Sequence, residues 1–316
     1  MAAFTHDARL GAGLGLALVS ASSFGLAGSL ARALRDAGWT PAAAVAARVL
    51  LAAVVLAPIA LVQLRGRWGL LRRTAGVITA YGLVAIAGCQ LAYFTAVTYM
   101  EVGVALLVEY TAPVAVVGWL WLRHRQRPGR LTVLGALIAI AGLLLVLDLL
   151  SGARASLVGI LWALAAMVGA ASYFVLSARR EDGLPGSVLA AGGLLLGGLA
   201  LVAAGALGIV PFAVSTADVA FVGFTAGWWP TVLTLGVVTA ALAYAAGIAA
   251  TRRLGSRLAS FVGLTEVLMA LLFAWLLLGE APRPIQLVGG ALILIGVVVV
   301  RLGEPVRAPE PAAART

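Results

Sequence analysis

Residues 103–122 read GVALLVEYTAPVAVVGWLWL, twenty residues with one charged side chain, Glu109, and one proline, Pro113. A hydrocarbon core of about 30 Å is crossed by roughly 20 apolar residues rising about 1.5 Å each. Lipid offers no partner to an open strand edge, so such a stretch spans as a helix. Nine further segments meet the same length, at 11–31, 42–62, 75–98, 131–150, 156–178, 187–209, 228–250, 258–278 and 285–302. The first is too long for a signal peptide and a second span follows at once, so it reads as a retained helix. Residues 211–227 are the one long loop, expected as an interfacial segment, and the proline-rich residues 304–316 as a disordered cytoplasmic tail. The expected fold is an all-α integral membrane protein of about ten transmembrane helices.

Composition agrees. The chain is 63% apolar and 11% charged, with a mean hydropathy of +1.08, where soluble domains are about half apolar and about a quarter charged. The net charge of +10 does not mark a nucleic-acid binder, because the arginines punctuate apolar segments and form no basic domain. All 22 basic residues are arginine, which removes the lysine of a P-loop or a Schiff base. Cys89 is the sole cysteine, and His6 and His124 lie outside the apolar segments, so neither a disulfide nor a metal site can be assembled and no cofactor is expected. A membrane enzyme would need a nucleophile–base pair or metal cluster at membrane depth, and such a set is missing from the sequence. No catalytic residue is expected.

With the amino terminus in the cytoplasm, seventeen arginines fall on the cytoplasmic side and four (Arg32, Arg35, Arg154, Arg283) outside. That bias places both termini inside, in a bacterial-type inner membrane. The chain also repeats. At a shift of 144, Gly25 meets Gly169, Arg35 meets Arg179 and Pro41 meets Pro185; at 154, Thr111 meets Thr265, Trp121 meets Trp275 and Pro128 meets Pro282. The halves are 1–150 and 151–303. Five helices per half is an odd number, so the copies are inverted. The loop between helices 2 and 3 carries four arginines, while its counterpart carries Asp218 and none; Glu101 lies in the loop whose counterpart carries Arg252, Arg253 and Arg257. Inverted repeats supply two near-equivalent states open to opposite sides, an architecture of secondary transporters.

Three stretches resemble a known family: Val104-Ala105-Leu106-Leu107-Val108-Glu109-Tyr110-Thr111-Ala112-Pro113, Leu276-Leu277-Leu278-Gly279-Glu280, and the glycine-containing helices 131–150 and 285–302 that close each half. In order and spacing they resemble the EamA-type branch of the drug/metabolite transporter superfamily over essentially the full length, with the Glu-aromatic-x-small-Pro string most similar to its threonine/homoserine exporters. Each half keeps one mark only: Arg125-Gln126 stands where the second half has Gly279-Glu280, and Val267 where the first has Pro113. The resemblance implies a proton- or gradient-driven exporter of amino acids, related metabolites or drugs.

Charge inside the membrane points to the site, since an ionised residue at the centre of a span costs about 2.5–3.5 kcal/mol on insertion scales. Glu109 lies about 9 Å and Glu266 about 13 Å into their helices, each on a face of small residues, and Arg48 likewise has Ala44 and Ala52 beside it. A carboxylate so placed can carry a proton or hold a substrate ammonium; alternatively it forms a structural salt bridge with Arg48. Arg48 is the one membrane-embedded cation in the sequence, hence the candidate for a substrate carboxylate. Pro113 removes a helix hydrogen bond and kinks helix 4, as either a static bend or an opening for a ligand. Tyr93 and Tyr244 match at a shift of 151 and are either paired gates or packing, while Gln90 and Tyr110 are further cavity candidates. Trp121, Trp228 and Trp229 are expected as interfacial anchors, Asp148 as solvated, and Gly192–Gly193 with Gly197–Gly198 as a close helix contact within the bundle or in a dimer. The expected cavity is lined by helices 2, 4, 7 and 9 and used by alternating access. A passive facilitator and a lipid-carrier translocator are the alternatives. The expected partners are a small molecule and membrane lipid; both monomer and homodimer fit.

Overall fold

The computed structural model describes residues 2–100, 102–146, 156–179 and 183–303. Glu101, Asp148, Arg154 and the proline-rich tail, all of which carry expectations above, lie outside the described residues. The helices are α1 Ala2–Asp36, α2 Pro41–Leu64, α3 Gly69–Tyr99, α4 Val104–His124, α5 Arg130–Val146, α6 Leu157–Ala178, α7 Gly186–Ala206, α8 Trp228–Leu254, α9 Ser256–Leu278 and α10 Pro284–Gly303. Among the described residues nine of these are long and apolar enough to cross a membrane; α5 is apolar but has 17 described residues. The expected end of α5 at 147–150 is outside them.

The long loop carries regular structure of its own. It contains a hairpin of β1 Val219–Phe221 and β2 Phe224–Ala226, paired antiparallel. Gly223 takes φ +81° in the turn, a conformation that needs no Cβ. The loop also ties three helix ends together. The Trp39 indole donates to the Ser215 carbonyl at 2.7 Å, Thr40 and Ala213 exchange hydrogen bonds, and the Val222 amide donates to the Leu277 carbonyl at 2.9 Å. Trp228 packs on Trp39 at 6.3 Å between ring centroids, whereas Trp121 and Trp229 are exposed.

The helix pairing shows the pseudo-twofold relation. α2 packs on α7 and α5 on α10, each helix against its own counterpart, while α1 packs on α8 as α3 does on α6. Glycine makes the closest of these contacts. A Cβ on Gly142 would sit 2.5 Å from the Gly289 carbonyl oxygen, and one on Gly135 would sit 2.6 Å from that of Gly296. Gly135 and Gly289 are repeat equivalents, as are Gly142 and Gly296, so the two contacts are images of each other. In α7, Gly193 faces Tyr81, Gly197 faces Ile86 and Gly198 faces Leu50. That glycine stripe packs within the bundle, where side-chain interlocking replaces the missing hydrophobic drive between helices in lipid.

Four helices are irregular, at repeat-equivalent places. α3 widens to i→i+5 turns over Tyr81–Gly88, and α8 does so over Val237–Leu242. α4 breaks between Tyr110 and Ala112, and α9 breaks at Leu264. Irregular backbone at membrane depth is tolerated where it is buried in protein or lines a cavity.

Candidate functional site

A cavity of about 530 Å³ is lined by residues of three of these irregular stretches, Ala85 of α3, Tyr110 and Ala112 of α4 and Leu264 of α9. All eight residues singled out by the sequence line it: Arg48, Gln90, Tyr93, Glu109, Tyr110, Pro113, Tyr244 and Glu266. The expected wall of helices 2, 4, 7 and 9 is corrected. α7 contributes no lining residue, because its small face is used up against α2 and α3; α1, α3, α6 and α8 line the space with α2, α4 and α9. The repeat places α7 opposite α2, but packing the pair together leaves only Pro41, Val45 and Arg48 of α2 facing the cavity.

The cavity is open at the end that bears the hairpin. There Gly28, Arg32, Arg35 and Pro41 are exposed, whereas Ala17, Gly247, Ala250, Thr251, Ala259 and Ser260 at the other end are buried. The buried end is closed by α1 against α8, where Gly13 meets Leu254 and Gly247 meets Ser20 and the Tyr173 hydroxyl. Beside the open end, Arg32 pairs with Glu280 at 2.5 Å, both half-exposed. Gly279 caps α9 in the left-handed conformation, which turns the chain so that Glu280 follows the helix end.

Glu109 stands in the last turn of the first half of α4, and its Oε1 accepts from the Cys89 thiol at 3.5 Å, a thiol also directed at the Ala166 carbonyl at 3.3 Å. Glu266 opens the second half of α9. Its Oε1 accepts from the Tyr110 hydroxyl at 3.3 Å, which joins α4 to α9. Gly25 lets the α1 backbone close on α9 at this level, since a Cβ there would lie 2.8 Å from the Glu266 carbonyl.

Arg48 does not form the salt bridge that the sequence allowed. Among the described residues no ion pair joins it to Glu109 or Glu266. Its Nη2 donates instead to the Thr239 carbonyl at 2.5 Å, its Cζ stands 5.4 Å from the Phe24 ring centre, and its Nε has no partner. The acceptor comes from the wide turn of α8. Thr239 lies in the segment where the ladder slips from i+4 to i+5, and Ser20 donates to the carbonyl of Ala243, the first residue after it. Arginine and carboxylates thus share one space without neutralising each other by contact. An anionic group can meet the guanidinium while a cationic group meets a carboxylate.

Tyr244 is 5.0 Å from Phe24 and 5.7 Å from Tyr173, while Tyr93 packs on Phe94 at 5.6 Å on the far side. Sequence reasoning missed Phe24, Cys89 and Tyr173. The small-residue face that flagged Glu109 also exists around Phe24, in Ala17, Ser20, Ala21, Gly25 and Gly28; without a charge on it, that face gave no signal.

A family model described as the EamA-like transporter family matches residues 11–148 and 157–302. An uncharacterized transporter from Clostridium kluyveri is 24% identical over 257 residues, covering 79% of this chain and 80% of that protein. A crystal structure of a protein superposes with a TM-score of 0.71 at 23% identity, covering 91% of this chain and 96% of that one, a likeness of fold.

Proposed function

Because the chain belongs to the EamA-like transporter family, we propose that it is a secondary active transporter that exports amino acids or related small metabolites, coupled to protons or another gradient. The observation that carries this is the cavity holding Arg48, Glu109 and Glu266 without an ion pair among them. A zwitterion fits that arrangement, with its carboxylate at Arg48 and its ammonium at Glu109 or Glu266. A carboxylate facing such a cavity also takes up and releases a proton. In the orientation that the arginines favour, both termini are cytoplasmic and the open end faces outward. The two halves then rock about the cavity to expose it to either side.

The test is metabolite profiling of the medium around cells expressing the wild type or Glu109→Gln at matched membrane levels, at two external pH values. Accumulation of one compound class with the wild type alone supports coupled export through Glu109. Equal, pH-independent accumulation with both proteins overturns the role of Glu109 and favours facilitation. Medium indistinguishable from that of empty cells overturns export.

A further inference from the structure

α4 and α9 end in the same way, at opposite ends of the bundle. The Gln126 amide donates to the Leu120 carbonyl at 3.1 Å and the Glu280 amide to the Ala274 carbonyl at 3.2 Å, equivalent bonds at the shift of 154. Both caps turn on a residue in the left-handed conformation, Arg125 at φ 53° and ψ 22° and Gly279 at φ 73° and ψ 13°. Glycine takes that conformation freely, whereas a Cβ crowds the following carbonyl. Arg125 is the one residue other than glycine with positive φ among the described residues. Strain kept at a position where the other repeat has glycine points to a use for the side chain.

That side chain stands in an unneutralised basic turn. Arg123, Arg125, Arg127 and Arg130 are all exposed. The sequence has no acidic residue between Glu109 and Asp148, and among the described residues none of the four arginines forms an ion pair. α10 brings a fifth to the same end. Gly303 closes on the start of α5, where a Cβ would lie 2.8 Å from that of Leu131, and Arg301, two residues earlier, is exposed and likewise without an ion pair among the described residues. Exposed apolar faces continue from these cations into the membrane. Arg130 shares a face of α5 with Leu134 and Leu137, and Arg301 shares one of α10 with Val298 and Leu294; all four apolar residues are exposed, as are Trp119 and Leu122 of α4. Cations at the head of apolar stripes match a phosphate at the head of acyl chains. A soluble anion would leave the stripes unused.

We propose that the turn between α4 and α5, together with Arg301, binds an anionic phospholipid, with its phosphate at the guanidinium groups and its acyl chains along α5 and α10. Guanidinium meets phosphate with paired donors, and an anionic leaflet attracts basic groups within a Debye length of its surface. In the orientation that the arginines favour, this is the cytoplasmic leaflet. The bound lipid bridges a turn of the first half to the last helix of the second. A charge bias that only orients the chain is satisfied by arginine in any loop of this end, whereas a lipid site depends on these arginines in particular. The inference does not rest on what the protein carries.

The test titrates purified protein in detergent–phosphatidylcholine micelles with phosphatidylglycerol and follows the melting temperature by tryptophan fluorescence. The wild type is expected to melt higher as phosphatidylglycerol is added, to a plateau. A protein combining Arg123→Gln, Arg127→Gln and Arg130→Gln is expected to need more than about tenfold as much of that lipid for half the rise, since each cation near an anionic surface contributes about fivefold in affinity. A comparison protein combining Arg65→Gln, Arg67→Gln and Arg72→Gln loses the same charge from exposed positions around the turn between α2 and α3, and is expected to stay within about twofold of the wild type. Arg125→Gly removes the strain together with the side chain. It is expected to melt higher than the wild type in phosphatidylcholine alone and to respond several-fold more weakly to phosphatidylglycerol. No rise in the wild type, equal losses in the two triple variants, or an Arg123/Arg127/Arg130 variant within about twofold of the wild type overturns the site. A rise reproduced by inorganic phosphate at matched ionic strength overturns a lipid as its occupant. A full phosphatidylglycerol response in Arg125→Gly overturns the reading of the strained cap, and if the triple variant does not fold, that single variant decides the site.

Discussion

Pro113 stands four residues after Glu109, in the place of the amide that would otherwise close on the Glu109 carbonyl. The first half of α4 accordingly stops at Tyr110. Thr111, at φ −77° and ψ 3°, turns its hydroxyl back to the Val108 carbonyl at 2.6 Å. The second repeat makes the same break without a proline. Thr265, the equivalent of Thr111, donates to the Val262 carbonyl at 2.7 Å, and Val267 occupies the proline position. Proline is one route to a discontinuity whose location beside each carboxylate is shared by the halves.

Pro113→Ala restores a donor for the Glu109 carbonyl. One helix hydrogen bond is worth about 1 kcal/mol net, so the variant is expected to melt at a higher temperature in detergent and to export several-fold more slowly. Thermal unfolding by tryptophan fluorescence, paired with efflux rates, checks both. A stabilised protein with unchanged flux would make the kink static.

Tyr110→Phe removes the hydroxyl that Glu266 accepts from. The loss of about 1 kcal/mol corresponds to roughly fivefold weaker substrate binding. The half-saturating concentration in counterflow should rise with little change in maximal rate, and Glu266→Gln should move the same quantity. No change in either variant would leave Glu266 a packing residue.

Arg48→Gln should abolish substrate-dependent thermal stabilisation, and Arg48→Lys should retain part of it, because ammonium supplies charge without the paired donors of guanidinium. The loss is expected to exceed about tenfold in affinity, as for a charge-assisted hydrogen bond worth about 1.5–3 kcal/mol. If the two variants bind equally well, the carboxylate is not read by Arg48.

Gly142→Leu places a side chain where the Gly289 carbonyl and the Ile293 amide of α10 now stand, 2.5 and 2.7 Å from the first added carbon. Overpacking of this kind costs about 1–3 kcal/mol. A lower melting temperature and a smaller monodisperse fraction in size-exclusion chromatography are expected, with Gly11→Leu, where no atom lies within 4 Å, as the tolerated comparison.

Glu109, Arg48 and Glu266 were legible in the sequence because ionisable side chains inside twenty-residue apolar runs are costly in lipid and persist where protein covers them. Pro113 and the paired Tyr93 and Tyr244 were legible from local chemistry and the repeat. Gly279-Glu280 was legible as a family mark, yet only the structure shows its use, a left-handed helix end followed by a carboxylate that holds Arg32. Phe24 and Tyr173 were not legible, since an aromatic residue in a membrane span has the same apolar character whether it meets lipid, a neighbour or a cavity.

Spans, their number within the limit of α5, and their pairing into two inverted halves follow from the sequence, because hydropathy and the odd helix count are properties of the chain taken segment by segment. Which faces meet is decided by tertiary packing alone. α7 turns its glycines to α2 and α3 and so leaves the cavity, and Arg48 passes over both carboxylates for a carbonyl in a slipped helical turn. Neither outcome is encoded at one position: each depends on how closely two helices approach, and that distance is set by side chains far apart in the chain.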